Sequence, residues 1–432
     1  KMAILQSIPA VIKVMVVFVF VLMAIRKKLS LGNAFMIGAG FIGLIFGMEL
    51  KEMLQSLVSS ILSPKTLSLA VVVSLILVLS NTMETVGQMK RLLMRFRGLI
   101  SRPILNLAMF PALIGLLPMP GGAVFSAPMV KELGTAMQMT AEKMSFINYW
   151  YRHIWEYWWP LYPGVLLATA LAGLNLWSFV FTMLPFTVMA ALLGYLSIRD
   201  INGRVRKGQV QGNVKPPLTP FLRELSPILF VIVFGLGMGI LLSWMFPGWT
   251  VSKEIGLITA LLMAIAWIWH ENHWPKTDIL KILTNPGLLN MMYMVIAILV
   301  FKGMLEDCHA VAIISQEFKA LHVPLLGLTI LLPFLVNLVT GITIAFVGST
   351  FPILILLIQS YGEDPFMMSY VMLAMASGFI SGLFSPLHLC FILTNQYFSC
   401  SLHRAYRLLW LPSLLLFAFG LGYFYLLRYF LG

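Results

Sequence analysis

Charge and cysteine are both scarce in this 432-residue chain. Charged residues make up 10% of it against 60% hydrophobic, with mean hydropathy +0.92, which excludes an ordinary soluble domain. The three cysteines, Cys308, Cys390 and Cys400, are odd in number and lack metal-ligand spacing. They imply no disulfide framework, and no metal site is expected. Strand-like alternation is missing, which argues against a membrane barrel. No Walker-type loop, nucleophile elbow or pair of intramembrane aspartates is visible. The string HENH at 270–273 is not HExxH, so neither ATP-driven transport by this chain nor a familiar hydrolase is indicated.

What the chain has in quantity is apolar blocks of about 20 residues, each enough to cross a bilayer as helix. Spans are predicted over 7–25, 31–49, 66–82, 144–172, 177–197, 225–246, 253–270, 288–301, 366–394 and 408–430. The first is expected to be a retained span, since no small-residue cleavage site follows it. Two further apolar stretches, 103–130 and 324–359, are interrupted near their middles. If both are re-entrant hairpins, the basic clusters at 26–28, 90–102, 131 with 143, 199–215, 276 with 281, and 404 with 407 share one face. That face is cytoplasmic by the positive-inside rule, with both termini outside. The formal net charge of +13 then reflects topology and anionic membrane lipid, not nucleic acid. The expected location is the inner (plasma) membrane, with many passes.

Five spans and one hairpin on each side of the hydrophilic segment RDINGRVRKGQVQGNVKPPLTP, 199–220, make an inverted repeat. Its bounds are 1–198 and 224–432, joined by a cytoplasmic linker at 199–223. Shifting the sequence by 222 positions lays ILVLSNTME at 76–84 on ILVFKGMLE at 298–306, Pro111 on Pro333 and Ala123 on Ala345. Glu84 and Glu306 open amphipathic arms ahead of the hairpins, where a capping or arm-to-core role is expected.

The hairpin interruptions read PMPGGAVFSAP at 118–128 and GITIAFVGST at 341–350. Backbone that leaves the helix at membrane depth needs partners from protein or a water-filled cavity. It can then present N–H groups to anions or carbonyls to cations. Pro120, Gly121, Gly122, Ser126, Gly341, Thr343, Ser349 and Thr350 are therefore candidate binding residues. Each hairpin is followed by a proline-broken span: NYWYRHIWEYWWPLYPG at 148–164 and SGFISGLFSPLHLCFILTNQYF at 377–398. Prolines there kink or discontinue the helix. The first places Arg152 and Glu156 four apart, hence on one helix face, with His153 beside them. Arg152 could hold a carboxylate or phosphate, while His153, Glu156 or His388 could carry a coupling proton. Asn148, Tyr149 and Ser385 complete the candidate set. The aromatic run reads first as interfacial belting.

The segments LLPMPGGAVFSAPMV, YRHIWEYWWPLYPG and SPLHLCFILTNQYF resemble the integral membrane family catalogued as domain of unknown function 401. The overall plan resembles the ion transporter superfamily of gluconate permeases, citrate–metal permeases and divalent-anion symporters. The resemblance implies an all-α, elevator-type secondary transporter, a homodimer through its scaffold, with the site at the hairpin tips. Sodium symporters of that superfamily carry Ser-Asn-Thr at the tips. Here SNT stands only at 80–82, which leaves coupling open between Na+ and H+. The expected cargo is a small organic anion, with no cofactor and no enzymatic step. The alternatives are a membrane enzyme acting on lipid through His153 and Glu156, or a channel or scaffold.

Overall fold

A computed structural model describes residues 8–100, 102–119, 121–199 and 216–431; the side chains of 311 and 312 are not described. Every regular element among these residues is helical. Ten α-helices precede the linker: α1 Ala10–Arg26, α2 Leu31–Phe46, α3 Leu50–Leu62, α4 Pro64–Thr85, α5 Gln88–Phe96, α6 Pro103–Ile114, α7 Ala123–Ala136, α8 Ala141–Arg152, α9 Pro163–Ala172 and α10 Leu176–Ile198. Ten follow it: α11 Leu218–Met245, α12 Ser252–Glu271, α13 Lys276–Leu283, α14 Pro286–Asp307, α15 Ala310–Ala320, α16 Leu325–Thr340, α17 Thr343–Ser360, α18 Met367–Leu383, α19 Leu389–Tyr397 and α20 Leu402–Leu431. Eight helical stretches are long and apolar enough to cross a membrane, nine if the bent pair α15–α16 counts as one. The chain is thus built as a multi-pass membrane protein. Most of the linker, 200–215, lies outside the described residues.

Local chemistry sets the helix ends. Pro64, Pro103, Pro163 and Pro286 occupy first-turn positions, where the missing N–H costs nothing and φ is preset. The side chain of Asn175 accepts from the Trp177 and Ser178 amides and starts α10. Gly47 closes α2 with φ +79°, a left-handed conformation that suits glycine.

The helices pack in two groups. One contains α1–α4 and α11–α14; the other contains both hairpins, both broken spans, α10 and α20. In the first group α2 lies on α14 while α12 lies on α4. In the second, α7 lies on α19 while α17 lies on α9. Contacts between the groups run through α17 with α14, α16 with α1, and α9 with α4. Glycine permits the closest of these: a Cβ at Gly348 would stand 2.6 Å from Ile298 Cδ1. The arms α5 and α15 fasten to the first group. Arg91 Nε pairs with Glu224 at 3.0 Å, and the Glu317 carboxylate accepts from the Ala10 and Val11 amides at 2.6 and 2.7 Å, capping α1. These residues, and not the arm-opening glutamates, make the described ties. Glu306 pairs with Lys302 on its own helix at 3.3 Å.

Both predicted broken spans are broken. The first stops at Arg152 and resumes at Pro163; the second stops at Leu383 and resumes at Leu389. Backbone unwound at this depth needs donors, and the aromatic run supplies them. Trp155 Nε1 donates to Ala112 O, Trp159 Nε1 to Leu116 O, and Tyr162 OH to Gly115 O, each at 2.8 Å. The run expected as an interfacial belt therefore satisfies the orphan carbonyls at the end of α6.

Candidate functional site

The site grows from one face of α8. Ser145, Asn148, Tyr149 and Arg152 recur at helical spacing and are all buried. They face α7 on one side and α19 on the other. Asn148 Nδ2 donates to Ala123 O at 2.9 Å and to Thr394 Oγ1 at 3.2 Å, and its Oδ1 accepts from Ser126 Oγ at 2.7 Å. Ser145 Oγ donates to Asn395 Oδ1 at 2.7 Å, and Tyr149 OH to Leu383 O at 3.3 Å. One polar ladder thus joins the first hairpin, the first broken span and the second broken span. Thr394 and Asn395 sit at its centre.

Arg152 ends α8 beneath the tip of the first hairpin. Its Nη2 donates to Met119 O at 2.7 Å, and a Cβ on Gly122 would stand 2.7 Å from that same nitrogen. Nε and Nη1 meet no acceptor at full hydrogen-bond geometry among the described residues, with the Tyr162 hydroxyl as a near neighbour, although the side chain is buried. A guanidinium with free donors in a dry site can engage a carboxylate or phosphate. Gly115 makes this placement feasible, since any Cβ there would run into the Arg152 carbonyl oxygen.

The shared helix face expected for Arg152 and Glu156 does not form. The helix ends at Arg152 and the chain turns through 153–162, so the two residues do not share a helix face. The Glu156 carboxylate lies 3.8 Å from His153 Nε2 instead. His153 Nδ1 lies 2.6 Å from Tyr149 O, and the His153 and His388 rings are 4.9 Å apart. Donor atoms of His153, His388 and Cys390 stand within 4.8 Å of one another. Sequence reading included both histidines but missed Cys390, two residues beyond His388, because the partner ligand comes from the other half of the chain.

The second tip converges on the same place. Gly341, φ +64°, closes α16, and a Cβ there would meet His388 N at 2.8 Å and Ser385 Oγ at 2.9 Å. Thr343 opens α17 against Gly164, where a Cβ would stand 2.6 Å from Thr343 Cγ2. Gly121, φ +72°, turns the first tip against Leu389 and Leu393. Helices α7, α9, α17 and α19 therefore begin next to one another, and none has a side-chain cap. Their N-terminal ends give the region a positive potential suited to an anion.

Ser349 and Thr350 do not join the cluster. Each hydroxyl donates back to its own helix at 2.8 Å, to Ala345 O and Phe346 O. Pro120 lies outside the described residues.

A family model described as "Protein of unknown function (DUF401)" matches residues 9–426. The chain belongs to the DUF401 family. No curated protein matches it. The three segments that suggested this family from sequence, 116–130, 151–164 and 385–398, contribute Gly122, Arg152, His153, Glu156, Ser385, His388 and Cys390 to the region just described. In this DUF401 chain the family's match spans both hairpins and both breaks.

Proposed function

We propose that this DUF401 protein is an elevator-type secondary active transporter of a small organic anion, a carboxylate by preference, and a member of the ion transporter superfamily. The observation that carries the reading is the buried Arg152, with two free guanidinium nitrogens, where two hairpin tips and two helix breaks meet. Secondary transporters commonly bind cargo at such discontinuous helices between repeats.

An inverted repeat is part of the proposal. A shift of 222 residues, 64 to 286, carries α4 onto α14 end to end. The contacts exchange in the same way: α5 on α11 answers α15 on α1, and α2 on α14 answers α12 on α4. The group bearing α1–α4 and α11–α14 serves as scaffold, and the hairpin-bearing group moves as the core. A cavity of about 380 Å³ lies between them, lined by Leu69, Leu166, Leu236 and Leu257. Coupling runs through H+ at Glu156, His153 or His388, or through Na+. The homodimer, the inner-membrane location and the absence of an enzymatic step belong to the same reading.

Reconstituted protein should accumulate a carboxylate against its gradient, and accumulation should collapse when the ion gradient is dissipated. Turnover of added lipid without uptake would overturn the reading. Cysteine cross-links between α17 and α14 should arrest uptake, and full activity after verified cross-linking would remove the elevator.

A further inference from the structure

Three ligand-bearing side chains, one from the first broken span and two from the second, meet where those spans face each other. Donor atoms of His153, His388 and Cys390 lie within 4.8 Å of one another. A zinc-type ion holds such donors at about 2.0–2.3 Å, so closure around one ion needs only small side-chain shifts.

The orientation of His153 points the same way. A carbonyl can only accept, so the 2.6 Å contact with Tyr149 O places the proton on Nδ1. That leaves the Nε2 lone pair, 3.8 Å from the Glu156 carboxylate, without a hydrogen-bond partner on a side chain only 2% exposed. A backbone carbonyl fixing one imidazole nitrogen while the other binds metal is the usual outer-shell arrangement at metal sites. His388 Nδ1 is also without a partner. Cys390 is buried in the first turn of α19, and its sulfur is a soft ligand.

We propose that His153, His388 and Cys390 bind one Zn2+-class transition-metal ion, with Glu156 beside the fourth position. Two nitrogens and one sulfur suit a borderline-soft ion far better than Mg2+ or Ca2+. Binding forms one metal–sulfur bond and releases the Cys390 proton to solvent. The thiolate and the Glu156 carboxylate offset the added charge, and Arg152 opposes it. The ion would tie the first break to the second. The inference rests on the donor set and does not depend on the transport reading.

The test uses chelator-treated full-length protein in detergent, titrated with Co2+. The expected result is one equivalent per chain, with tetrahedral visible bands and a thiolate-to-cobalt charge-transfer band, displaced by Zn2+. Cys390→Ser should abolish the charge-transfer band while Cys308→Ser and Cys400→Ser retain it, and His388→Ala should weaken binding at least tenfold. The wild-type band keeps the test decisive should a variant fail to fold. Absence of the band at one equivalent in wild type, or its persistence in folded Cys390→Ser, overturns the proposal. Absence of any anion-induced stabilisation in protein that still gives the cobalt band on titration would count against the transport reading only.

Discussion

The two hairpins share a plan but differ in reach and in what they cover. The first is built from α6 and α7, 12 and 14 residues; at 1.5 Å per residue its arms run about 18 and 21 Å, short of a bilayer core. The second is built from α16 and α17, 16 and 18 residues, or about 24 and 27 Å. The short hairpin ends over Arg152, whereas the longer one ends over Ser385 and His388. The adjoining breaks differ too: 153–162 carries charge and four hydrogen-bonding aromatics, while 384–388 is brief and carries one histidine. Similar skeletons therefore hold unlike chemistry. The frame positions the site, and the first break supplies most of its ionisable groups.

Replacing the close-contact glycines should separate the hairpins most strongly. Gly115→Ala drives a Cβ into the Arg152 backbone carbonyl, which cannot yield, whereas Gly382→Ala meets the Asn337 side chain, which can. A stability loss of about 3 kcal/mol is expected for the first and about 1 kcal/mol for the second, read by thermal unfolding in detergent. Equal losses would mean that the first tip is no more constrained than the second.

The polar anchors should rank next. Asn148→Ala removes three buried hydrogen bonds, to Ser126, Ala123 O and Thr394, and should cost about 2–3 kcal/mol. Asn337 makes one bond, to Gly378 O at 2.8 Å, so Asn337→Ala should cost about 1 kcal/mol. A reversed order in paired melts would place the tighter lock in the second hairpin.

Arg152→Lys keeps the charge but loses the planar fork. Carboxylate-induced thermal stabilisation should require at least tenfold more ligand, about 1.4 kcal/mol of binding. Unchanged stabilisation would take Arg152 out of the site.

The smallest effect belongs to the rim. Glu142 Oε1 pairs with Arg404 at 3.0 Å, and its carboxyl is held below the ordinary value, first by a backbone hydrogen bond at the start of α8 and then by Arg404. A lowered carboxyl stabilises above its ordinary range and loses that contribution as pH falls through the lowered value. The pair is solvent-accessible, so Arg404→Gln should cost under about 1 kcal/mol at neutral pH, with the difference from wild type vanishing in acid. A constant difference across that pH range would remove the ion pair as its cause.

Much of the frame was legible in the sequence because it rests on one-dimensional signals. Apolar length marked the helices, prolines marked both breaks, prolines with Gly121-Gly122 marked the first tip, and Gly341 marked the second. The 222-residue correspondence of the proposed repeat rests in the sequence on Glu84 with Glu306 and Pro111 with Pro333. Arg152, Asn148 and Ser126 were legible because a buried polar residue in an apolar run needs a partner. Ser349 and Thr350 read as tip ligands because sequence proximity cannot show that a hydroxyl bonds its own preceding turn. The shared helix face of Arg152 and Glu156 failed for a similar reason: the helix stops at Arg152, and the tryptophans beyond it bond to the distant carbonyls of 112 and 116.

By itself, the sequence determined that the chain is helical and membrane-embedded, and where its helices must break. Hydrophobicity, backbone hydrogen bonding and proline chemistry act over a few residues and leave their mark locally. Only the tertiary structure decided which breaks meet, that Arg152 keeps two free donors, and that His153 stands beside His388 and Cys390. Those facts depend on packing between segments more than two hundred residues apart, and no local pattern encodes the distance between them.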